Sequence, residues 1–345
     1  MTSSVNSKRP GVQCVRSRSE VAAVVDHWRR TGHSIGLVPT MGALHDGHLS
    51  LIGQIKKHSD KVITSIFVNP TQFGPNEDLS RYPRSEAEDI EKLAERKCDL
   101  VYLPQVEEMY PSGSVTHVRV EEMSDRLEGQ FRPHFFYGVT TVVARLFIHT
   151  RPDVAIFGQK DFQQLQIIRR MVCDLGFPID IIGSPTVRDD HGLALSSRNA
   201  YLSDEQIECA RAIYRSLNAI ADGIKTGTQV DDLLNDALIH LQQHGFNPID
   251  YIALVDSDTL DTFASTGTTR SGKPDQPDLQ AVNSVKSNSM DGCEPVQSAW
   301  QSSDNQKEQK PTHGRLLVAA WLGDTRLIDN ISCPVPSSSS MHREV

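Results

Sequence analysis

No two cysteines in this 345-residue chain stand at C-x-x-C spacing; Cys14, Cys98, Cys173, Cys209, Cys293 and Cys333 are scattered. That pattern argues against a zinc framework or a disulfide scaffold and reads as reduced thiols in an intracellular protein. Apolar runs are short, none approaching the roughly 18 residues of a membrane span, and the first thirty residues hold no apolar secretory core. Basic charge is in deficit, with 35 Lys and Arg against 44 Asp and Glu, a formal net charge of −9. A nucleic-acid backbone is therefore not expected as a partner, and any polyanion must be met by a local cluster. Apolar residues reach only 38%, and the shortfall is local. In 265–313, Ser, Thr, Asn, Gln, Gly and Pro fill 28 of 49 positions and Leu, Ile, Val and Phe only four, too few to offset the ordering entropy. This stretch reads as a disordered surface insertion, and 334–345 as a tail.

What remains is long enough for two domains at roughly 100–200 residues each. Ser17 and Glu20 have capping-box spacing ahead of Val21, Val24, Val25 and Trp28, which predicts a helix ending near Gly32. Strands are expected at Val12–Val15, Ile35–Val38, Val62–Val68, Asp99–Leu103, Val154–Phe157 and Ile179–Ile182, and the β-branched run from Val62 marks a strand covered on both faces. Helices alternate with them: one from Gly47, one capped by Ser85 with Glu88 and running to Lys97, then Val139–His149 and Asp161–Leu175. This rhythm predicts a doubly wound, Rossmann-like parallel sheet over 1–185. From 186 to 345 a second, smaller α/β domain is expected, with helices in 204–224 and 230–244 and strands at 251–255 and 316–321. Lys8, Arg9, Arg16 and Arg18, with no acid before Glu20, have a transit-peptide flavour. The strand at Val12 leaves little room for such a segment, so the cytoplasm is the expected location.

Three clusters carry chemistry. Pro39-Thr40-Met41-Gly42-Ala43-Leu44-His45-Asp46-Gly47-His48 lies where a strand hands over to a helix, whose start offers unsatisfied N–H groups and a dipole that favours anions. His45 and His48 share a face and can donate to phosphate oxygens as a diphosphate leaves; a zinc reading of this pair fails for want of further ligands. Gly158-Gln159-Lys160-Asp161 opens another strand-to-helix junction, where Lys160 is a point charge for phosphate and Gln164 follows one turn later. Leu195-Ser196-Ser197-Arg198-Asn199 sets two hydroxyls beside a guanidinium, a mobile donor set suited to β- and γ-phosphates.

These segments, together with Phe67-Val68-Asn69-Pro70-Thr71-Gln72-Phe73, Tyr82-Pro83-Arg84, Gly192–Asn199 and Ala319-Ala320-Trp321-Leu322-Gly323, closely resemble the pantothenate synthetase (pantoate–β-alanine ligase) family within the nucleotidyltransferase superfamily. The resemblance implies ATP-dependent joining of (R)-pantoate to β-alanine through a pantoyl adenylate, with AMP and diphosphate released. It assigns the ATP site to Met41, Gly42, Ala43, Leu44, His45, Asp46, Gly47, His48, Gly158, Gln159, Lys160, Asp161, Val187, Leu195, Ser196, Ser197 and Arg198. His48, His45, Lys160 and Arg198 would be its catalytic groups, with His48 the proton donor. It assigns pantoate to Gln72 and Gln164 and the β-alanine border to Gln72, since an amide offers both a donor and an acceptor. It also implies a homodimer, and Mg2+ with the nucleotide, for which Glu88 and Asp89 are candidate contacts unless they simply cap a helix.

One motif departs from the family. Where a histidine is usual, Arg132-Pro133-His134-Phe135-Phe136-Tyr137-Gly138-Val139 has Phe135, with His134 one place earlier; this bears on a substrate contact and not on the ATP site. Two other readings stay open from the residues: a nucleotidyltransferase that keeps the nucleotide in its product, and a nucleotide-sensing scaffold that has lost chemistry.

Overall fold

The computed structural model describes residues 12–75, 77–268 and 313–334. In chain order the elements are β1 (Gln13–Val15), α1 (Arg18–Arg30), β2 (Ile35–Thr40), α2 (Asp46–Ile55), β3 (Lys61–Ile66), α3 (Glu86–Glu95), β4 (Leu100–Tyr102), α4 (Val106–Met109), α5 (Glu128–Phe131), α6 (Phe135–Thr150), β5 (Val154–Gly158), α7 (Phe162–Asp174), β6 (Asp180–Ser184), α8 (Asp204–Ala210), α9 (Ala212–Lys225), α10 (Val230–Gln243), β7 (Phe246–Asp256), β8 (Thr262–Thr266), β9 (His313–Leu322) and β10 (Thr325–Pro334). They form two compact units, one from 1–119, 134–158 and 177–184, the other from 120–133, 159–176 and 185–345.

The first unit holds a six-stranded sheet in the order β1-β4-β3-β2-β5-β6, with every pairing parallel. This is the doubly wound sheet that the alternation predicts. Val62, Ile63, Thr64 and Ser65 of β3 are all buried, as expected for a strand covered on both faces. Beside β2 the chain turns one way into β3 and later returns on the other side as β5, so the topological switch point lies between β2 and β5. Leu49, Leu51, Ile52 and Ile55 of α2 pack on Val38, Val62, Val101 and Ile156, and this holds the start of α2 at the carboxyl end of β2.

Local signals succeed unevenly. The Ser17–Glu20 capping box forms in both directions. At α3, Ser85 occupies the N-cap without a side-chain cap bond, so the Ser85–Glu88 box is absent. A box that the reading missed, Ser203 with Gln206, starts α8. The helical stretch after it breaks at Arg211, whose guanidinium binds Asp189 and Glu208.

The second unit is built on an antiparallel sheet in the order β10-β9-β7-β8. Ile213, Leu217, Ile220, Leu234, Leu238 and Leu241 pack with Ile252, Leu254, Leu316 and Val318 in its core. Both ends of the stretch read as an insertion from Ser265 to His313 are paired in the sheet. Ser265 and Thr266 pair with Ala253 and Ile252, His313 pairs with Pro334, and Thr268 both donates to Ile249 O and accepts Ile249 N–H. Polar side chains at a sheet edge lower the apolar count without preventing ladder pairing. Likewise Pro334 belongs to β10 and not to the tail. The expectations for 1–11, 269–312 and 335–345 lie outside the described residues. Among the described residues, Cys14, Cys98, Cys209 and Cys333 are free thiols.

Candidate active site

The turn after β2 is held from behind by α3. Thr40 Oγ1 donates to Ser65 O at 2.7 Å and accepts the Gly42 N–H at 3.3 Å. Gly42 lies in the left-handed region at φ +84°, where a Cβ would stand 3.0 Å from Asp89 Oδ2 and 3.1 Å from Ile66. Ala43 follows at φ +51°. The buried Asp89 carboxylate accepts the N–H of Ala43 and of Leu44, each at 2.8 Å, while Lys92 Nζ donates to Leu44 O at 2.8 Å. Those two amides thus point to Asp89 and not outward, leaving the imidazoles as the polar face of the turn.

His45 is the N-cap of α2, its Nδ1 accepting the Gly47 N–H at 3.1 Å. With Nδ1 as the acceptor, the neutral ring carries its proton on Nε2, a ready donor. The His48 ring lies against it, tilted by 39° with ring centroids 4.1 Å apart. The predicted pair is therefore brought together at the start of α2. Asp46 is exposed, 3.6 Å from Arg96. On the neighbouring strand, Gly158 ends β5 with nothing within 4 Å of where a Cβ would project.

Gln72 is the buried residue of a 3-10 turn, Pro70–Gln72, whose N-cap is Asn69. Asn69 Nδ2 donates to Gln72 Oε1 and to Gly138 O, each at 3.1 Å, and Asn69 Oδ1 accepts from Thr71 Oγ1 at 2.9 Å and Tyr110 OH at 2.8 Å. Gln72 Nε2 reaches Met41 Sδ at 2.8 Å, linking this turn to the histidine turn. Burial raises the Tyr110 phenol, keeping it a proton donor to Asn69. In the departing motif, Phe135 packs edge-on against Phe136 at 5.0 Å, and Tyr137 OH accepts from Arg119 at 2.6 Å.

In the second unit, Lys160 lies on the 3-10 turn Gln159–Asp161 ahead of α7. The Gln159 and Lys160 carbonyls accept from Asn330 Nδ2 at 3.0 and 2.7 Å. The glutamines of α7 divide by environment. Gln163 is buried, donating to Met123 O and Arg126 O and accepting the Glu128 N–H, and Gln166 donates to Ser257 O. Gln164 is half-buried.

The loop bearing Val187 and Leu195–Arg198 is pinned at its base. Leu195 N donates to Val187 O at 2.9 Å, Arg188 pairs with Ala194 as a bridge, and Asp189 accepts from His191 N, Leu193 N and Arg211. Ser196 Oγ caps the turn Ser197–Tyr201 by accepting the Arg198 N–H at 3.3 Å, and Asn199 Nδ2 donates to Ala194 O at 3.1 Å. Of the two candidate Mg2+ contacts, Glu88 is exposed and both Asp89 oxygens accept backbone amides; no group of three acidic, His or Cys residues suited to a metal occurs among the described residues.

Sequence reasoning missed Asp89 as the holder of the turn, and Asn69, Tyr110, Gly138 and Asn330. The signal for Asn69 was its N-x-x-Q spacing to Gln72; the others act over long sequence distances.

Comparison with known proteins bears on this arrangement. A family model described as pantoate-beta-alanine ligase matches residues 13–273. The pantothenate synthetase of Hyphomonas neptunium is 48% identical over 327 residues, covering 95% of this chain and 98% of that protein. That of Sphingopyxis alaskensis is 51% identical over 253 residues, covering 73% and 91%. Among solved structures, pantothenate synthetase from Thermus thermophilus superposes with a TM-score of 0.74 at 38% identity, covering 92% of this chain and 98% of that one. Pantoate-beta-alanine ligase from Francisella tularensis, solved in complex with beta-gamma ATP and beta-alanine, gives 0.67 at 30% identity, covering 93% and 97%. With the adjoining His45–His48 pair at the switch point of a Rossmann-like sheet, these similarities show that the chain is a ligase belonging to the pantoate–β-alanine ligase family.

Proposed function

We propose that the protein condenses (R)-pantoate with β-alanine to give pantothenate, with ATP cleaved to AMP and diphosphate through a bound pantoyl adenylate. The observation that carries this reading is the His45–His48 pair, 4.1 Å apart at the head of α2, with His45 Nδ1 as an acceptor and Nε2 as the donor. The ligand pair named for the Francisella tularensis structure supports ATP and β-alanine as substrates.

In the first step a pantoate carboxylate oxygen bonds to the α-phosphorus while the bond from that phosphorus to the bridging oxygen breaks, and diphosphate leaves with the electron pair. In the second, the β-alanine amine bonds to the acyl carbon, the acyl–oxygen bond breaks, AMP departs and the amine loses its proton. Such chemistry asks a protein chiefly for positioning and charge neutralisation. His48 acts as proton donor toward the leaving diphosphate and His45 Nε2–H as a second donor. Lys160 meets phosphate as a point charge, and Ser196, Ser197 and Arg198 meet the β- and γ-phosphates. Met41–His48, Gly158–Asp161, Val187 and Leu195 are the remaining residues assigned to the nucleotide. Gln72 and Gln164 take pantoate, and Gln72 also borders β-alanine. Mg2+ enters this reading as the nucleotide's companion, and no step runs through it. A homodimer in the cytoplasm completes the reading.

The test is product analysis. AMP release should require both pantoate and β-alanine, and pantoate alone should support exchange of diphosphate into ATP. Release of ADP, or a product that retains the nucleotide, would overturn the ligase chemistry.

A further inference from the structure

The two segments of the second unit proposed as nucleotide contacts, the Lys160 turn and the Ser196–Arg198 loop, are 36 and more residues apart in sequence, yet adjacent residues of one strand hold both. Asn330, 2% exposed, spends both amide hydrogens on consecutive carbonyls, Gln159 O at 3.0 Å and Lys160 O at 2.7 Å. Its Oδ1 accepts Arg315 Nε at 2.7 Å, and the Arg315 guanidinium lies 4.2 Å from the ring centre of Phe162, two residues after Lys160. Asp161, which heads α7, makes no side-chain cap bond, so local sequence does not by itself fix the register of that turn.

Asp329 faces the other side of β10, as neighbours on a strand do. It is 5% exposed and forms an ion pair with Arg188, one arm at 2.9 Å, while accepting the Asn330 N–H at 2.7 Å. Arg188 donates to Gly192 O at 2.9 Å and lies 4.0 Å from the Tyr214 ring centre, so it fastens the base from which Leu195–Arg198 emerge. A buried, mutually hydrogen-bonded ion pair is weak evidence of stabilisation, because hydrophobic replacements often serve as well, but it fixes geometry.

We infer that Asp329 and Asn330 form a positioning joint that sets the Lys160 turn and the Ser196–Arg198 loop in their nucleotide-binding places, an inference that rests on the reading of those two segments as ATP contacts. Neither residue touches substrate. Each acts through one segment, Asn330 through Lys160 and Asp329 through Arg198.

The experiment uses near-isosteric variants in full-length enzyme. Asn330→Asp keeps the bond to Arg315 but turns a carboxylate oxygen toward two carbonyl oxygens; Asp329→Asn removes the charge partner of Arg188. Each should raise KM for ATP about tenfold, the scale of one or two lost hydrogen bonds, while KM for β-alanine stays within about twofold. The discriminating readout is a mutant cycle. Asn330→Asp should add little to Lys160→Ala, and Asp329→Asn little to Arg198→Ala, whereas a merely structural lesion would multiply with either. ATP binding by calorimetry checks the same cycle without turnover, and Asn330→Ser replaces Asn330→Asp if the latter lacks a cooperative unfolding transition. If Lys160→Ala leaves ATP binding unchanged, the contact assignment fails. If Lys160→Ala weakens ATP binding and the Asn330 variants do not, or the effects multiply, the joint is overturned and the contact assignment stands.

Discussion

A Cβ placed on Gly138 would stand 2.6 Å from the backbone nitrogen of Gln72, closer than any side chain tolerates. The absence of a side chain there lets α6 lie directly against the turn that presents Gln72, with Asn69 Nδ2 bridging Gly138 O and Gln72 Oε1. In an open helix, Gly→Ala stabilises by about 1 kcal/mol. Here the neighbours are backbone atoms that no rotamer change can move, so an overpacking penalty of roughly 1–3 kcal/mol should outweigh that gain. Gly138→Ala is expected to lower the unfolding midpoint and, by displacing Gln72, to raise KM for pantoate well above its effect on KM for ATP. Steady-state kinetics with each substrate varied in turn checks this; a stabilised variant with unchanged pantoate KM would refute it.

Asp89 provides a second handle. Its carboxylate, 1% exposed, accepts two consecutive amides of the histidine turn. Asp89→Asn would set an NH2 group against one N–H donor, costing about 1–3 kcal/mol for the group left unsatisfied. Ala43 holds a positive φ while its N–H bonds Asp89, so the turn should relax and carry His45 with it. Diphosphate exchange should fall by more than urea unfolding alone would account for, measured on enzyme shown to be folded at the assay temperature.

How much of this was legible depends on the distance over which each feature acts. The Ser17–Glu20 cap, the β3 run and the His45–His48 pair are local patterns and were readable. Asp89 lies 45 residues from Leu44 and was read as a metal candidate or a helix-face acid, because nothing in its own segment shows that its oxygens are already engaged. The Asn330 contacts to Gln159 and Lys160 span 170 residues or more, and the fit of Gly138 against Gln72 exists only once α6 and the 3-10 turn have packed. Composition misplaced the ends of the polar segment because Ser265, Thr266 and Thr268 contribute backbone and hydroxyl bonds, which an apolar count does not register.

His149 makes stability depend on pH. Burial, then Arg18 and more weakly Arg145, against an opposing Glu108, bring it down to about 4 from an unfolded value near 6.5. Between those values the unfolded chain binds a proton that the folded chain does not, so its contribution is complete above pH 6.5 and is lost as pH falls toward 4. The loss should be on the order of 1–3 kcal/mol. His149 Nδ1 bonds Tyr102 OH at 2.9 Å, so His149→Gln retains an acceptor while removing the titration. Urea midpoints across that window should fall less steeply for His149→Gln than for the natural chain. Some slope should remain, because His240 is also lowered by burial.

The two roles of His45, cap and proton-bearing donor, can be separated. His45→Ala removes the acceptor that caps α2 and should cost about 1 kcal/mol of stability along with activity. Asn is among the best N-cap residues, so His45→Asn should restore the unfolding midpoint without restoring the Nε2 donor. His48→Ala leaves the cap in place and should slow diphosphate exchange by about 100-fold or more, the usual scale for a positioned acid. If the donor role is real, His45→Asn will be stable and slow, and its rate will not recover with its stability. Recovery of both together would reduce His45 to a structural cap and leave His48 alone to meet the departing diphosphate.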